Sequence, residues 1–206
     1  MRRRTVLGAT LAGAVVLAAK PSRAQDAAEE VIARVRRAVV AVGTLQRTRS
    51  PAFRFLGTGF AIGNGTRVAT NAHVLDAAKQ LAHDEQLVVL LPGEKPGERV
   101  REVTFRNARK DGEDREHDLA LLAIDGPALP ALALGASATV REGRSVYFTG
   151  FPIGAILGPV PVTHRAIVAA IPPIALPAGR AADLDAGAIR RLAEGAFPVF
   201  QLDGVA

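Results

Sequence analysis

Two residues of this chain have the types and settings that suit acid–base chemistry. His73 closes the segment Gly57 to Val74, which reads as strand, tight turn, strand and then a histidine where the second strand gives way. Asp118 stands at the mouth of the apolar run Leu119-Ala120-Leu121-Leu122-Ala123-Ile124. An imidazole at the end of a rigid hairpin is held in place yet reachable from solvent, as a general base must be. A carboxylate beside it fixes its tautomer and stabilises its cation, and this pair is what hydrolysis by an activated hydroxyl needs besides the nucleophile. Taken singly, each residue is ordinary: a histidine after a strand is usually structural or superficial, and aspartates commonly cap strands and turns. The chain has four serines, Ser22, Ser50, Ser137 and Ser145, and none sits in a Gly-x-Ser-Gly turn.

The elements that must position the pair follow from local patterning. Phe60-Ala61-Ile62 and Arg67-Val68-Ala69 flank Gly63-Asn64-Gly65, whose glycines supply the positive φ angles of a hairpin turn. Val74 to Leu81 predicts one or two helical turns directly after His73. Asp26 to Arg37 has an acidic start, a basic end and Ile32 and Val35 at helical spacing, which predicts a short amphipathic helix. Strands are predicted at Val39–Gly43, Gln86–Leu91, Arg99–Phe105 and Leu119–Ile124, with a turn at Pro92–Gly97. The charged run Arg109 to Glu116 reads as a solvated loop. A second group of strands is predicted at Ser145–Thr149, Val160–Ile171 and Phe197–Leu202, interrupted by a helix from Asp183 to Glu194. Many short strands with turn signals at short intervals predict an all-β barrel or sandwich.

Residues 1–24 are set apart by composition. Arg2-Arg3-Arg4, an apolar run from Thr5 to Ala19 and small residues at Ser22 and Ala24 make an export signal cut after Ala24, of either the ordinary secretory or the twin-arginine type. The apolar run falls short of the roughly 20 residues of a membrane-spanning helix, so no stable membrane anchor is expected after cleavage. The remaining 25–206 is one domain by size. The formal charge of +6 includes five cations and no acid in the first 24 residues, which leaves 21 cations against 20 acids beyond them. That balance gives no support for nucleic-acid binding. With no cysteine, an exported chain has no disulfide framework and relies on its hydrophobic core. His73, His83, His117 and His164 show no close metal-ligand spacing, so no metal site and no cofactor is expected. His117 is expected to point away from Asp118, because strand neighbours alternate faces.

Together, three ordered blocks resemble trypsin-like serine peptidases of the HtrA (Deg) type. Thr58-Gly59-Phe60 through Thr70-Asn71-Ala72-His73-Val74 resembles their histidine block, and His117-Asp118-Leu119-Ala120-Leu121-Leu122 their aspartate block. Gly150-Phe151-Pro152-Ile153-Gly154, with Val162-Thr163 and Ile167-Val168-Ala169-Ala170, resembles their Gly-x-Pro-x-Gly loop and the strand after it. Phe200-Gln201-Leu202-Asp203 resembles the strand leading to the serine. The resemblance implies a trypsin-like double β-barrel, the first barrel complete and the second partial, with catalytic His73 and Asp118 from the first. It implies an exported endopeptidase of the bacterial periplasm or extracellular space, acting on protein or peptide substrates through a Ser-His-Asp triad. The serine of that triad is expected beyond Ala206, so the 206 residues by themselves are expected to be inactive. The competing reading is a non-catalytic exported binding or scaffold domain of the same fold. Oligomerisation, which many relatives show, is left open.

Overall fold

Val39–Gln46 (β1) is the strand around which the protein is organised, and six of its residues in succession, Val39 to Thr44, are buried. The computed structural model describes residues 23–91, 105–152, 160–173 and 197–204. A helix, Arg23–Ala38 (α1), leads directly into β1. The strands Phe53–Ile62 (β2), Arg67–Thr70 (β3), Glu85–Leu90 (β4), Phe105–Asp114 (β5) and Leu119–Ile124 (β6) complete a closed antiparallel barrel in the order β1-β2-β3-β6-β5-β4. Closure leaves no free edge in this half.

The alternation of side chains along each strand explains the double burial of β1. Val40 and Val42 point into the barrel with Ala61, Val68, Val89, Ala120, Leu122 and Ile124. Val39 and Ala41 point outward, against Leu90 and Phe151, with Val35 of α1 and Phe53, Phe55 and Phe60 partly buried around them. Each fully buried Val or Leu stabilises the fold by about 1.5–3 kcal/mol over an exposed one, and the two clusters share β1 between them.

Phe151 comes from the second half of the chain. Ser145–Gly150 (β7), Val162–Ala170 (β8) and Gln201–Leu202 (β9) form a three-stranded antiparallel sheet in that order. This sheet is the described part of the second barrel. It is joined to the first by the Phe55 and Phe151 rings, edge to face with centroids 6.2 Å apart. The Phe151 backbone N–H also donates to Thr58 Oγ1 on β2, at 3.1 Å.

The predicted hairpin is present, with Gly63 and Gly65 at φ of 61° and 83° and the Gly65 N–H donating to the Ile62 carbonyl at 3.0 Å. The run from Arg109, however, is no loop: through Asp114 it forms most of β5, paired with β6 from Ala108↔Ile124 to Asp114↔Leu119 with a register shift between Lys110 and Gly112. Its backbone is satisfied by the ladder, while its exposed side chains pair with one another and with β3. Arg67 Nε lies 2.7 Å from Asp111 Oδ2, and Lys110 Nζ 3.0 Å from Glu113 Oε2. The predicted turn at 92–97, most of the strand at 99–105, the helix at 183–194 and nearly all of the export signal lie outside the described residues. Among the described residues no helix is long and apolar enough to cross a membrane.

Candidate functional site

Strand pairing brings the two singled-out residues together. β3 and β6 are neighbours with Thr70 opposite Ala120, so the chain leaving β3 and the chain entering β6 emerge side by side at one end of the barrel. Asn71 and Ala72 lead out of β3, and His73 opens a short 3₁₀ helix, His73–Ala78. That helix seats its Val74 and Leu75 in the barrel core, 6 % and 5 % exposed, which leaves His73 facing outward. Gly57 on β2 permits the seating, because a Cβ there would stand 2.6 Å from Val74 Cγ2. Thr70 Oγ1 donates to the Thr58 carbonyl at 2.8 Å, fastening the hairpin just before the chain turns.

A single carboxylate holds His73 at two points. Asp118 Oδ1 accepts the His73 backbone N–H at 2.9 Å, and Asp118 Oδ2 lies 2.6 Å from His73 Nδ1. The Ala72 N–H donates to the Asp118 carbonyl at 3.1 Å. Asn71 Nδ2 donates to the same carbonyl at 3.1 Å and to Asp118 Oδ2 at 3.2 Å. The His73 backbone N–H is the main influence holding the Asp118 carboxyl below the usual carboxylate range, followed by the bond and charge of the ring and by Asn71. The carboxylate is therefore ionised at neutral pH and accepts from Nδ1–H, so that in the neutral imidazole Nε2 is the nitrogen without a proton. The His73 side chain is 67 % exposed, so that nitrogen is open to a reactant.

Asp118 reaches this position at a conformational cost. Its φ is 53°, the left-handed region, where a residue with a Cβ costs on the order of 1–2 kcal/mol. Aspartate tolerates it better than most, and the five hydrogen bonds that its carboxylate and carbonyl accept from Asn71, Ala72 and His73 offset the cost.

The other histidines are elsewhere. His117 bonds Asp114 and not Asp118, as the sequence predicts, but because it lies in a turn rather than through strand alternation. His83 is exposed in the approach to β4. His164 on β8 stacks on Phe148 with centroids 5.1 Å apart and lines a cavity of about 320 Å³ between β2 and β7. Among the described residues no three His, Cys, Asp or Glu side chains form a metal-holding cluster. No hydroxyl of Ser50, Ser137 or Ser145 is hydrogen-bonded to His73. Asn71 is the contributor that sequence reasoning missed; its place two residues before His73 was the available signal.

A family model described as the trypsin-like peptidase domain matches residues 57–204. A protein of Halomonas elongata named "Probable periplasmic serine endoprotease DegP-like" is 38 % identical over 101 residues, covering 49 % of this chain and 18 % of that protein. A protein of the same name from Pseudomonas savastanoi pv. phaseolicola is 36 % identical over 99 residues, again 18 % of its length. The match thus spans less than a fifth of these curated relatives. Among solved structures, "HtrA-type protease AlgW with decapeptide" superposes with a TM-score of 0.52 at 25 % identity, covering 69 % of this chain and 45 % of that one. The crystal structure of Deg5 superposes at 0.55 over 73 % of this chain and 66 % of that one, and at 22 % identity it speaks for the fold alone. With the family model matching most of the chain, this chain belongs to the trypsin-like peptidase domain family, and it is similar to HtrA-type members of it.

Proposed function

We propose that this protein is an exported serine endopeptidase in which His73 is the general base and Asp118 orients it. The observation that carries the reading is the double grip of one carboxylate on the His73 backbone N–H and Nδ1. This grip fixes the tautomer in which Nε2 accepts a proton, and it places a negative charge where the imidazolium forms. The nucleophilic serine belongs, in this reading, to sequence beyond Ala206, in keeping with relatives far longer than the matched segment.

The reaction runs in two halves. Serine Oγ attacks the peptide carbonyl carbon as its proton passes to His73 Nε2, forming the Oγ–C bond and a tetrahedral oxyanion. Imidazolium then returns that proton to the leaving amine as the C–N bond breaks, leaving an acyl-enzyme. Water repeats the sequence, with His73 again as base, and releases the acid and the free serine. The Asp118 carboxylate stays ionised throughout and stabilises the imidazolium in both halves.

Residues 1–24 serve as the export signal and 25–206 as peptidase domain; the periplasmic names of the relatives support export to that compartment. The substrates are proteins or peptides. The test is hydrolysis of an unstructured protein such as casein by the full natural chain. Activity that disappears in His73→Ala, with the fold retained, supports the reading. A folded wild-type protein that cleaves nothing under any condition favours the non-catalytic binding domain.

A further inference from the structure

Asp114 repeats on His117 the grip that Asp118 has on His73. Its Oδ1 accepts the His117 backbone N–H at 3.1 Å, and its Oδ2 lies 2.8 Å from His117 Nδ1. A side-chain oxygen accepting the N–H three residues on is the arrangement that caps the start of a helical turn. The Asp118 N–H then reaches back to the Arg115 carbonyl at 3.4 Å, and Asp118 itself takes the left-handed φ of 53°. Helical turns commonly end in that conformation, but on glycine or asparagine. An aspartate persists there only when its surroundings over-determine it.

The surroundings converge on His117. One side of its ring holds Asp114, and the ring lies over Phe197, centroids 4.7 Å apart at 49°. Phe197 arrives from the second half of the chain, a few residues before β9. Arg115, in the same turn, bonds Asp76 of the 3₁₀ helix at 2.8 Å and Glu113 at 2.5 Å.

We propose that His117 is a positioning residue for Asp118: clamped by Asp114 and seated on Phe197, it fixes the left-handed turn that aims the Asp118 carboxylate at His73. The inference rests on the reading of His73 and Asp118 as a catalytic pair. It adds that the pair is aligned only when the segment bearing Phe197 is seated, so the second half of the chain governs the aspartate of the first. The role is one of aim rather than of stability. The His117 and Asp114 side chains are 41 % and 51 % exposed, and exposed pairs of this kind contribute little to folding.

The test is the tautomer of His73, read from imidazole ¹⁵N shifts in the full natural chain, for the wild type and for His117→Ala, Asp114→Ala and His117→Phe. The wild type should hold the Nδ1–H form. Each variant should lower the ratio of Nδ1–H to Nε2–H by on the order of fivefold, the loss expected when one orienting hydrogen bond is weakened, while the melting temperature hardly moves. His117→Phe keeps a ring against Phe197 and lacks the Asp114 bond, so it carries the comparison even if an alanine variant fails to fold. Arg67→Ala, which breaks an exposed ion pair elsewhere on the barrel, should leave the ratio unchanged. Folded variants with the wild-type ratio would overturn the role of His117 and leave the pair intact. A wild type already in the Nε2–H form would instead sink the catalytic pair, and this inference with it.

Discussion

Replacing Asp118 with Asn separates geometry from charge at the heart of the site. Asparagine tolerates the left-handed φ of 53° as readily as aspartate, and its Oδ1 can still accept the His73 N–H now held at 2.9 Å. The other carboxylate oxygen, 2.6 Å from Nδ1, becomes an amide NH₂ that donates toward the ring. Two losses follow. The charge-assisted bond to the imidazolium disappears, about 1.5–3 kcal/mol. Nδ1 must also become the acceptor, so the proton sits on Nε2, and recovering the basic tautomer costs about a further 1–3 kcal/mol. The sum lowers the rate by roughly 10²–10⁴. Because the His73 and Asp118 side chains are 67 % and 45 % exposed, the expectation is the middle of that range, about 10³. The assay is kcat/KM on a peptide substrate by the full natural chain, with thermal melting alongside. A rate within tenfold of wild type at unchanged Tm would refute the argument that Asp118 sets the tautomer.

Other residues give independent tests. Glu85 accepts from Thr44 Oγ1 and from Arg49, the latter at 2.8 Å, with its side chain 7 % exposed and its carboxyl held down to about 2, chiefly by Thr44 and then Arg49. Glu85→Ala should cost about 1–3 kcal/mol by leaving the buried Thr44 hydroxyl without its acceptor and Arg49, which keeps its bonds to the Thr44 and Ala52 carbonyls, without its carboxylate. In the wild type, whose folded value is depressed, the Glu85 contribution is complete above the unfolded-state value near 4.5 and should be lost as pH falls from there toward 2. Chemical denaturation across that range checks both, and a wild type and variant with the same acid limb would contradict the assignment. Gly57→Ala forces a methyl against Val74, so it should lower both stability, by about 1–3 kcal/mol, and catalytic rate. Adding Val74→Ala should restore part of each; a double variant as slow as the single would show that the 3₁₀ helix is not what moves.

What could be read from the sequence was what burial dictates. The hairpin around Gly63-Asn64-Gly65 and the run Leu119 to Ile124 announce themselves because their apolar residues must reach the barrel interior and their glycines must turn. β5 did not, because Arg109, Lys110, Asp111, Glu113 and Asp114 have no apolar pattern; that segment is a strand because β6 offers it a ladder. The His73–Asp118 pair was legible as residue types in two motifs, whereas its double hydrogen bond depends on a pairing between β3 and β6 that no local signal encodes. The left-handed Asp118 and the Asp114–His117 clamp were hidden for the same reason. Four charged residues in a row look solvated whether or not one of them caps a turn.

The most direct test of the account is labelling of the folded, full natural protein with a fluorophosphonate, which reacts with a hydroxyl made nucleophilic by a neighbouring base. Peptide mapping then locates the labelled residue. The account predicts one modified serine, lying beyond Ala206, and loss of that modification in His73→Ala. A folded protein that takes up no label, or one labelled equally without His73, would contradict it.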